Sequence, residues 1–406
     1  MRIVIIGAGV AGSIMARSLS RLDGAEVICL ERVARNDHAE SGTGLNIGPN
    51  AVKALRAHDP ELADAITAAG LPWRHWRISL TDGTVLFDHP LSEFADNDGW
   101  RIRWSELYRV LREAAGPAIT YGCKITSIGL DANPAKSIVT CDGEDGTPRK
   151  LDGIDLLIAA DGRYSRVRSA MGGEPRSTFV GVAISRVLVP DSSGGLIRDY
   201  EQWFNGPNRL LAFRVPPDRI YVAAAFPIPI DEPVPDDLKQ PDVLRAAFTP
   251  SGKPPSDQAR WLIDTICANV STTHWARMQE HEALFADPWR NVLYLGDAAH
   301  GMVPTLGQGA TQAIEDAVVA SGVIVREFDA GRSDPRPWLA QIEWLRRERI
   351  RFAMDFSRDA TDTMLAGADP VAGSLHKNDP AFLARLRRLY CDVPGLDLET
   401  RALSKE

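Results

Sequence analysis

Gly7-Ala8-Gly9-Val10-Ala11-Gly12 sets three glycines at the spacing G-x-G-x-x-G, and Glu31 follows about 20 residues later. These residue types define a task. The first glycine permits a tight turn, the second lets a pyrophosphate approach the backbone, and the third lets a helix pack on a strand. Bare amides at the helix start, with the positive end of its dipole, favour phosphate. An acid at the end of the next strand accepts hydrogen bonds from a ribose hydroxyl. The glycines alone would fit a structural turn. With Glu31 in register they predict dinucleotide binding, without separating one dinucleotide from another.

Two further clusters stand far along the chain. Residues 292–317 read VLYLGDAAHGMVPTLGQGATQAIEDA: an apolar run, then Gly296-Asp297, then Pro304 and Gly307-Gln308-Gly309 leading into a helical pattern. An acid at a strand end beside a glycine-rich helix start suits a polar, phosphate-bearing or anionic ligand. Asp161-Gly162 closes the apolar run LLIA. Either pair alone would pass for a strand-end turn. Their order and spacing relative to the glycine turn are the specific signal.

The elements that must position these residues follow from hydrophobic period. Residues 2–31 read strand, glycine turn, helix, strand, a βαβ unit. Residues 49–69 and 105–115 are predicted helical. Asp82-Gly83 centres a hairpin over 76–87, and residues 137–151 form another. Strands are expected at 179–189, 209–215 and 219–228, in an antiparallel sheet. The proline-rich stretch 227–257 is expected to be a long loop, 258–269 a helix, and helices dominate from about 310 to 390. The fold class is α/β: a Rossmann-like dinucleotide domain interleaved with an antiparallel β-sheet substrate domain and followed by C-terminal helices. The boundaries expected are 1–72, 100–177 and 283–350 for the first, 73–99 and 178–282 for the second, and 351–406 for the helical end.

Composition narrows the classes. A chain of 406 residues with 44% hydrophobic and 25% charged residues is an ordinary globular protein of about two domains. A net charge of -8 argues against non-specific nucleic-acid binding. The 5 cysteines are scattered and lack C-x-x-C spacing, so neither a disulfide framework nor a zinc site is expected, and a reducing compartment is. No long apolar run or paired histidine motif points to membrane or metal. A cytoplasmic monomer or homodimer is expected. The histidines His75, His89, His274 and His281 are read as surface or packing residues, His300 as locally structural, and the run RRERIR at 346–351 as a solvated helix face.

Taken together, the motifs resemble those of the class A, single-component flavoprotein monooxygenases, the para-hydroxybenzoate hydroxylase-like family. GAGVAG with Glu31, ADGRYSRVR at 160–168, GDAAHGMVPTLGQGATQAIEDA at 296–317 and GTGLNIGPNA at 42–51 carry the resemblance, which spans about residues 1–350. It implies FAD, with NAD(P)H and O2 as co-substrates. Gly7, Gly9 and Gly12 would hold the pyrophosphate, Glu31 the adenosine ribose and Asp297 the ribityl chain. Gly296, Gly307, Gln308 and Gly309 would build the flavin end, with the amides of 306–308 facing the pyrimidine edge. Asp161 would serve both cofactor and nicotinamide access. Pro304 and Gly307 would border the place where a flavin hydroperoxide meets the ring.

This sequence departs from the family at two places. His38-Ala39-Glu40-Ser41 stands where relatives often carry an arginine, with Arg35 nearest. Trp104 occupies another arginine position, and Arg103, one residue earlier, is the candidate FAD ligand there. The substrate wall is expected from the strand residues Arg186, Tyr200, Trp203, Phe213, Arg214 and Tyr221. Aromatic side chains would stack on a ring, and Arg186, in an otherwise apolar run, would pair with a substrate carboxylate. Tyr200 and Tyr221 are candidate proton relays. The expected reaction is hydroxylation of a small aromatic or heteroaromatic ring, phenolic or pyridine-type. The alternatives are another FAD oxidoreductase on the same fold (epoxidase, halogenase or reductase) and an NAD-dependent dehydrogenase.

Overall fold

A computed structural model describes residues 1–37 and 43–396. The loop residues 38–42, which include His38-Ala39-Glu40-Ser41 and Gly42, lie outside the described residues.

Arg2–Ile6 is the centre of a six-stranded sheet in the order Ala286–Asp287, Val292–Tyr294, Leu156–Ala159, Arg2–Ile6, Glu26–Leu30, Ile119–Thr120. All neighbours are parallel except the first pair. The strand is apolar throughout because both faces are covered: Ile3 and Ile5 enter one core, Val4 and Ile6 another. Chain segments nearly 300 residues apart in sequence thus end side by side, and the three motif turns follow the same ends of adjacent strands, the place where open parallel sheets bind ligands.

A second sheet has seven strands, ordered His274–His281, Ser177–Pro190, Arg219–Pro227, Asn208–Val215, Tyr200–Asn205, His75–Leu80, Val85–Pro90. It is antiparallel except where Tyr200–Asn205 runs parallel to His75–Leu80, a mixed pairing that the expected antiparallel sheet lacked. Its residues alternate strictly between two cores. Trp203, Leu210, Ala212, Ile220, Val222 and Ala224 pack on the helices Pro241–Phe248 and Asp257–Ala268. Tyr200, Leu211, Phe213, Tyr221 and Ala223 face the other way, toward the flank covered by the C-terminal helices. A three-stranded sheet of Gly44–Ile47, Gly99–Arg103 and Leu71–Trp73 lies between the two large ones.

Three local expectations are corrected. Residues 49–69 split into two helices, Pro49–His58 and Pro60–Ala69, because Pro60 cannot continue the first and starts the second, with Asp59 capping it through the Leu62 amide. The proline-rich 227–257 stretch contains the helix Pro241–Phe248, whose proline likewise sits at the first turn. The 346–351 run is not a solvated face: in the helix Pro335–Asp359, Arg346 and Arg349 are buried and hold Glu315 and Asp316 of the facing helix Gln308–Asp329, while Arg347 and Arg351 make exposed pairs. No helix among the described residues is long and apolar enough to cross a membrane. The 5 cysteines are free thiols.

Candidate active site

The glycine turn is built as its spacing demands. Gly7 takes φ +94°, and a Cβ there would lie 2.5 Å from the Ala160 carbonyl oxygen. A Cβ on Gly12 would lie 1.8 Å from the Gly7 oxygen, so that helix and turn pack only because both residues lack side chains. Gly9 differs: its nearest obstacle is 3.9 Å away, on a side that opens into a cavity. The helix Val10–Leu19 begins there without a side-chain cap. The helix Gln308–Asp329 also begins without one, after Gly307 in the left-handed region at φ +65°. Two uncapped helix starts therefore open on one cavity of about 340 Å³, each with free amides and a positive dipole end. That pair suits a ligand with phosphates at one end and an anionic ring edge at the other.

The sheet side of this cavity is formed by Ile184, Arg186, Tyr200, Arg209, Leu211, Phe213, Tyr221 and Ala223. Strand register explains the set. Tyr221 pairs with Phe213, and Ala223 with Leu211 and Arg186, so every second residue of three neighbouring strands points inward. Phe213 and Tyr221 have ring centroids 4.8 Å apart, and Tyr200 stacks on Phe213 at 5.9 Å. The strand Gly44–Ile47 crosses close above them. A Cβ on Gly44 would lie 2.8 Å from the Tyr221 Cβ, so this position admits no side chain without displacing the wall.

The electrostatics of the wall are unusual. Arg209 is 3% exposed, and its Nε has no hydrogen-bond partner. The Arg186 Nε is also buried and unpartnered. Neither guanidinium has an acidic partner among the described residues. Burial pulls Arg209 below its ordinary value, yet a guanidinium remains charged. Burial pushes the Tyr200 phenol up to about 12 and raises Tyr221, the latter against the opposing pull of Arg186 and Arg209. Both tyrosines are therefore protonated donors at neutral pH rather than proton acceptors. Asp297 is the one acid among the described residues lining the cavity, and it faces Arg163 at 4.0 Å.

The FAD binding domain family model matches residues 1–193. A 3-amino-4-hydroxybenzoate 2-monooxygenase of Streptomyces platensis is 29% identical over 88% of this chain and 87% of its own. A 6-hydroxynicotinate 3-monooxygenase of Pseudomonas fluorescens is 28% identical over 89% and 91%. Among solved structures, Klebsiella pneumoniae HpxO complexed with FAD and uric acid shares the fold with a TM-score of 0.75 at 24% identity, covering 96% of this chain and 93% of that one. The chain is similar to the class A flavoprotein monooxygenases. It is an FAD-dependent enzyme.

For such a flavoprotein the positions of the expected residues are informative. Gly9, Gly296, Asp297, Pro304, Gly307 and Gly309 line the cavity, with Arg186, Tyr200, Phe213 and Tyr221 opposite them. Glu31 is buried behind the glycine turn: its carboxylate accepts the Ala8 amide at 2.7 Å and the Val33 amide at 3.1 Å, with Arg112 at 3.6 Å. Asp161 accepts the amides of Arg166 and Val167, and its neighbours Ala160 and Gly162 reach the cavity. The Gln308 side chain turns inward to Asn50 and Gln312, leaving only its backbone at the helix start. Arg103 ends its strand beside Glu106 at 3.6 Å, outside the cavity lining. Trp203 and Arg214 occupy the opposite face of the sheet, Trp203 in the helix-covered core and Arg214 paired with Asp191 at 2.8 Å. The expected wall is corrected accordingly, since 203 and 214 have the wrong parity.

Sequence reasoning missed Arg209, Arg112 and Tyr108. Arg209 shares the parity of Phe213, and that spacing of four along a strand could have found it. Arg112 donates to the Ala8 and Asp37 carbonyls and braces the glycine turn from the helix Trp104–Ala115. Tyr108 lines the cavity one helical turn after Trp104.

Proposed function

We propose that this flavoprotein hydroxylates a small aromatic or heteroaromatic ring bearing an acidic group, with NAD(P)H and O2 as co-substrates, in the cytoplasm. The observation that carries the substrate class is Arg209: a buried guanidinium without an acid, set in an aromatic wall. A buried charge without a partner is costly, and a ring carboxylate supplies the partner through a charge-assisted pair. Two of the relatives are named for a hydroxybenzoate and a hydroxynicotinate, which are ring carboxylates with a ring hydroxyl.

The residues present fit FAD, because both uncapped helix starts and the side-chain-free approach at Gly9 face one cavity. Bound FAD supplies hydride acceptance from NAD(P)H and the activation of O2 for insertion of one oxygen atom. Gly7, Gly9 and Gly12 hold the pyrophosphate on the first helix start, with Glu31 and Arg112 fixing the turn beneath it. Glu31 also offers its remaining acceptor capacity to the ribose. Asp297 accepts from the ribityl hydroxyls, and the second helix start favours negative charge on the pyrimidine edge. The six-stranded sheet domain serves the cofactor and the seven-stranded sheet the substrate. Pro304 and Gly307 bound the reacting face opposite the sheet. Phe213 and Tyr200 stack against the ring and exclude water, which protects the reactive state from wasteful breakdown. Tyr221 donates a hydrogen bond to a ring oxygen.

The test is NAD(P)H oxidation by FAD-loaded protein over a panel of phenolic and pyridine carboxylic acids, with product masses. Products heavier by one oxygen are expected. NAD(P)H consumption without such a product from any ring acid overturns the proposal.

A further inference from the structure

The helix Trp104–Ala115 presents two faces. Leu107, Val110, Leu111 and Ala115 are buried in the core. Trp104, Tyr108 and Arg112 stand four residues apart on another face, about 6 Å per step along the axis. The first two line the cavity together with Gly9, Val10 and Thr43. Their ring centroids are 5.4 Å apart, and the Arg112 guanidinium carbon lies 5.0 Å from the Tyr108 ring centre. Arg112 in turn donates to the Ala8 carbonyl at 3.0 Å, so Tyr108 stands beside the glycine turn. The Tyr108 hydroxyl has no hydrogen-bond partner among the described residues, and the charges that reach it are Arg112, Asp297 and Glu31. Desolvation pushes this phenol up to about 12, so it is a hydrogen-bond donor at neutral pH.

FAD brings two negative phosphates to this turn, and no cationic side chain among the described cavity residues is free to meet them. Of the arginines lining the cavity, Arg186 and Arg209 belong to the sheet wall, and Arg163 faces Asp297 at 4.0 Å. Arg112 gives its donors to the Ala8 and Asp37 carbonyls and lies 3.6 Å from Glu31. Arg103 and Arg109 pair with Glu106. Residues 38–42 contain neither lysine nor arginine. Neutral donors can hold a diphosphate, because backbone amides at a helix start and a hydroxyl both form charge-assisted hydrogen bonds to it. We propose that this chain holds the FAD diphosphate without a cationic side chain: the Tyr108 hydroxyl donates to it alongside the amides that open the helix Val10–Leu19, and the Trp104 and Tyr108 rings close that side to water. The aromatic flank supplies apolar cover where a cation would supply charge. This rests on the FAD reading above and names the side chains that complete it.

Reconstitution of the full chain with FAD tests this through flavin-fluorescence titration and the phosphorus resonances of the bound diphosphate. Tyr108→Phe removes only the hydroxyl, and is expected to weaken FAD binding about tenfold and to move at least one phosphorus resonance. Arg163→Gln is expected to leave both resonances in place. Trp104→Phe keeps an aromatic cover and is expected to hold FAD affinity within about twofold of native, whereas Trp104→Ala is expected to lower it about tenfold. Circular dichroism of each variant establishes that it is folded. The proposal is overturned if Tyr108→Phe leaves both resonances unmoved, whether or not affinity falls, because a lost contact to the diphosphate must be felt at phosphorus. It is also overturned if Arg163→Gln moves them as far as Tyr108→Phe does, or if Trp104→Ala binds FAD as tightly as the native protein. A native chain that takes up no FAD would sink the cofactor reading and this proposal together. None of these readouts depends on whether any ring gains an oxygen, so failure of the hydroxylase reading leaves the proposal standing.

Discussion

Two pairs of arginines among the described residues are opposites: Arg346 and Arg349, both buried in a helical core, and Arg209 and Arg186, one buried and one half-buried, on the cavity wall. In the helical core Arg346, 1% exposed, donates to Asp316 and Glu315 at 2.8 Å each and to Gln312 at 2.7 Å, while Arg349 holds Glu315 and the Leu389 carbonyl. Asp316 completes the group by accepting the Gly296 amide and pairing with His300 at 2.5 Å. Every charge there has its partner within the protein. In the cavity, Arg186 and Arg209 have no acid among the described residues. Burial alone does not separate Arg346 from Arg209; the census of partners does. A closed census marks a structural device that here fixes the Gly296-Asp297 turn, and an open one marks a place for a ligand.

The largest effect should come from breaking the closed pair. Arg346→Ala leaves Asp316 and Glu315 short of a cation in a dry core, which costs roughly 3–5 kcal/mol of stability. Urea denaturation of the FAD-loaded protein measures it, with weaker FAD retention expected because Asp316 carries the Gly296 amide. A loss below about 1 kcal/mol would put the two arginine pairs on the same footing.

The open pair should behave in the reverse sense. Arg209→Gln removes an uncompensated buried charge, so unfolding free energy is expected to hold or rise, while ring-acid affinity falls about 10- to 100-fold, or roughly 1.4–3 kcal/mol. Arg186→Ala likewise weakens ring-acid binding with FAD still bound. Denaturation curves and calorimetric titrations on the same preparations check both halves. Destabilisation as large as that of Arg346→Ala would mean the cavity arginines are structural.

The closed pair also titrates. His300 and Arg346 hold the Asp316 carboxyl down to about 2 from an ordinary 3.8, against the opposing effect of burial. A depressed folded value binds fewer protons than the unfolded chain, so its stabilisation is complete above about pH 4 and lost as pH falls through about 2. The contribution is about 2 kcal/mol. Stability measured across that window should fall in the native protein and fall less in Asp316→Asn, which has no proton to take up.

The half of the cavity built from glycine turns and helix starts was legible because its close packing constrains backbone. Gly7 and Gly12 must lack side chains for turn, strand and helix to meet, and such demands write themselves into spacing. The resemblance then supplied the link between the two ends of the site. The sheet half of the cavity was less legible because it depends on parity within a sheet. Phe213 and Arg214 are adjacent and look equally eligible, yet only one can face inward. Arg209 stands at the start of its strand, where an arginine resembles a solvated turn residue. The RRERIR run hid a buried pair for a related reason: its mixed charges read as surface, whereas Arg346, Arg349, Ile350 and Ala353 share one helix face at i, i+3, i+4 and i+7. The strand Tyr200–Asn205 was anticipated only through Tyr200 and Trp203 as strand residues, without bounds or partners, and it is the one that pairs with the hairpin from residues 75–90 and closes the wall.

Arg214 gives the smallest effect and the sharpest control. It is one residue from Phe213, carries the same charge as Arg209, and sits on the far side of the same sheet in a half-exposed pair with Asp191. Exposed pairs contribute about 0–1 kcal/mol, so Arg214→Gln should shift stability within that range and leave ring-acid affinity unchanged. If long-range positive charge rather than contact attracted the substrate, Arg214→Gln and Arg209→Gln would weaken binding alike and salt would abolish the difference from the native protein. If inward parity decides, only Arg209→Gln weakens it, at low and at high ionic strength, because a pair buried in the cavity is poorly screened. Titrations of both variants at two salt concentrations separate the cases, and equal losses would remove the distinction between the two faces on which the assignment of the cavity wall depends.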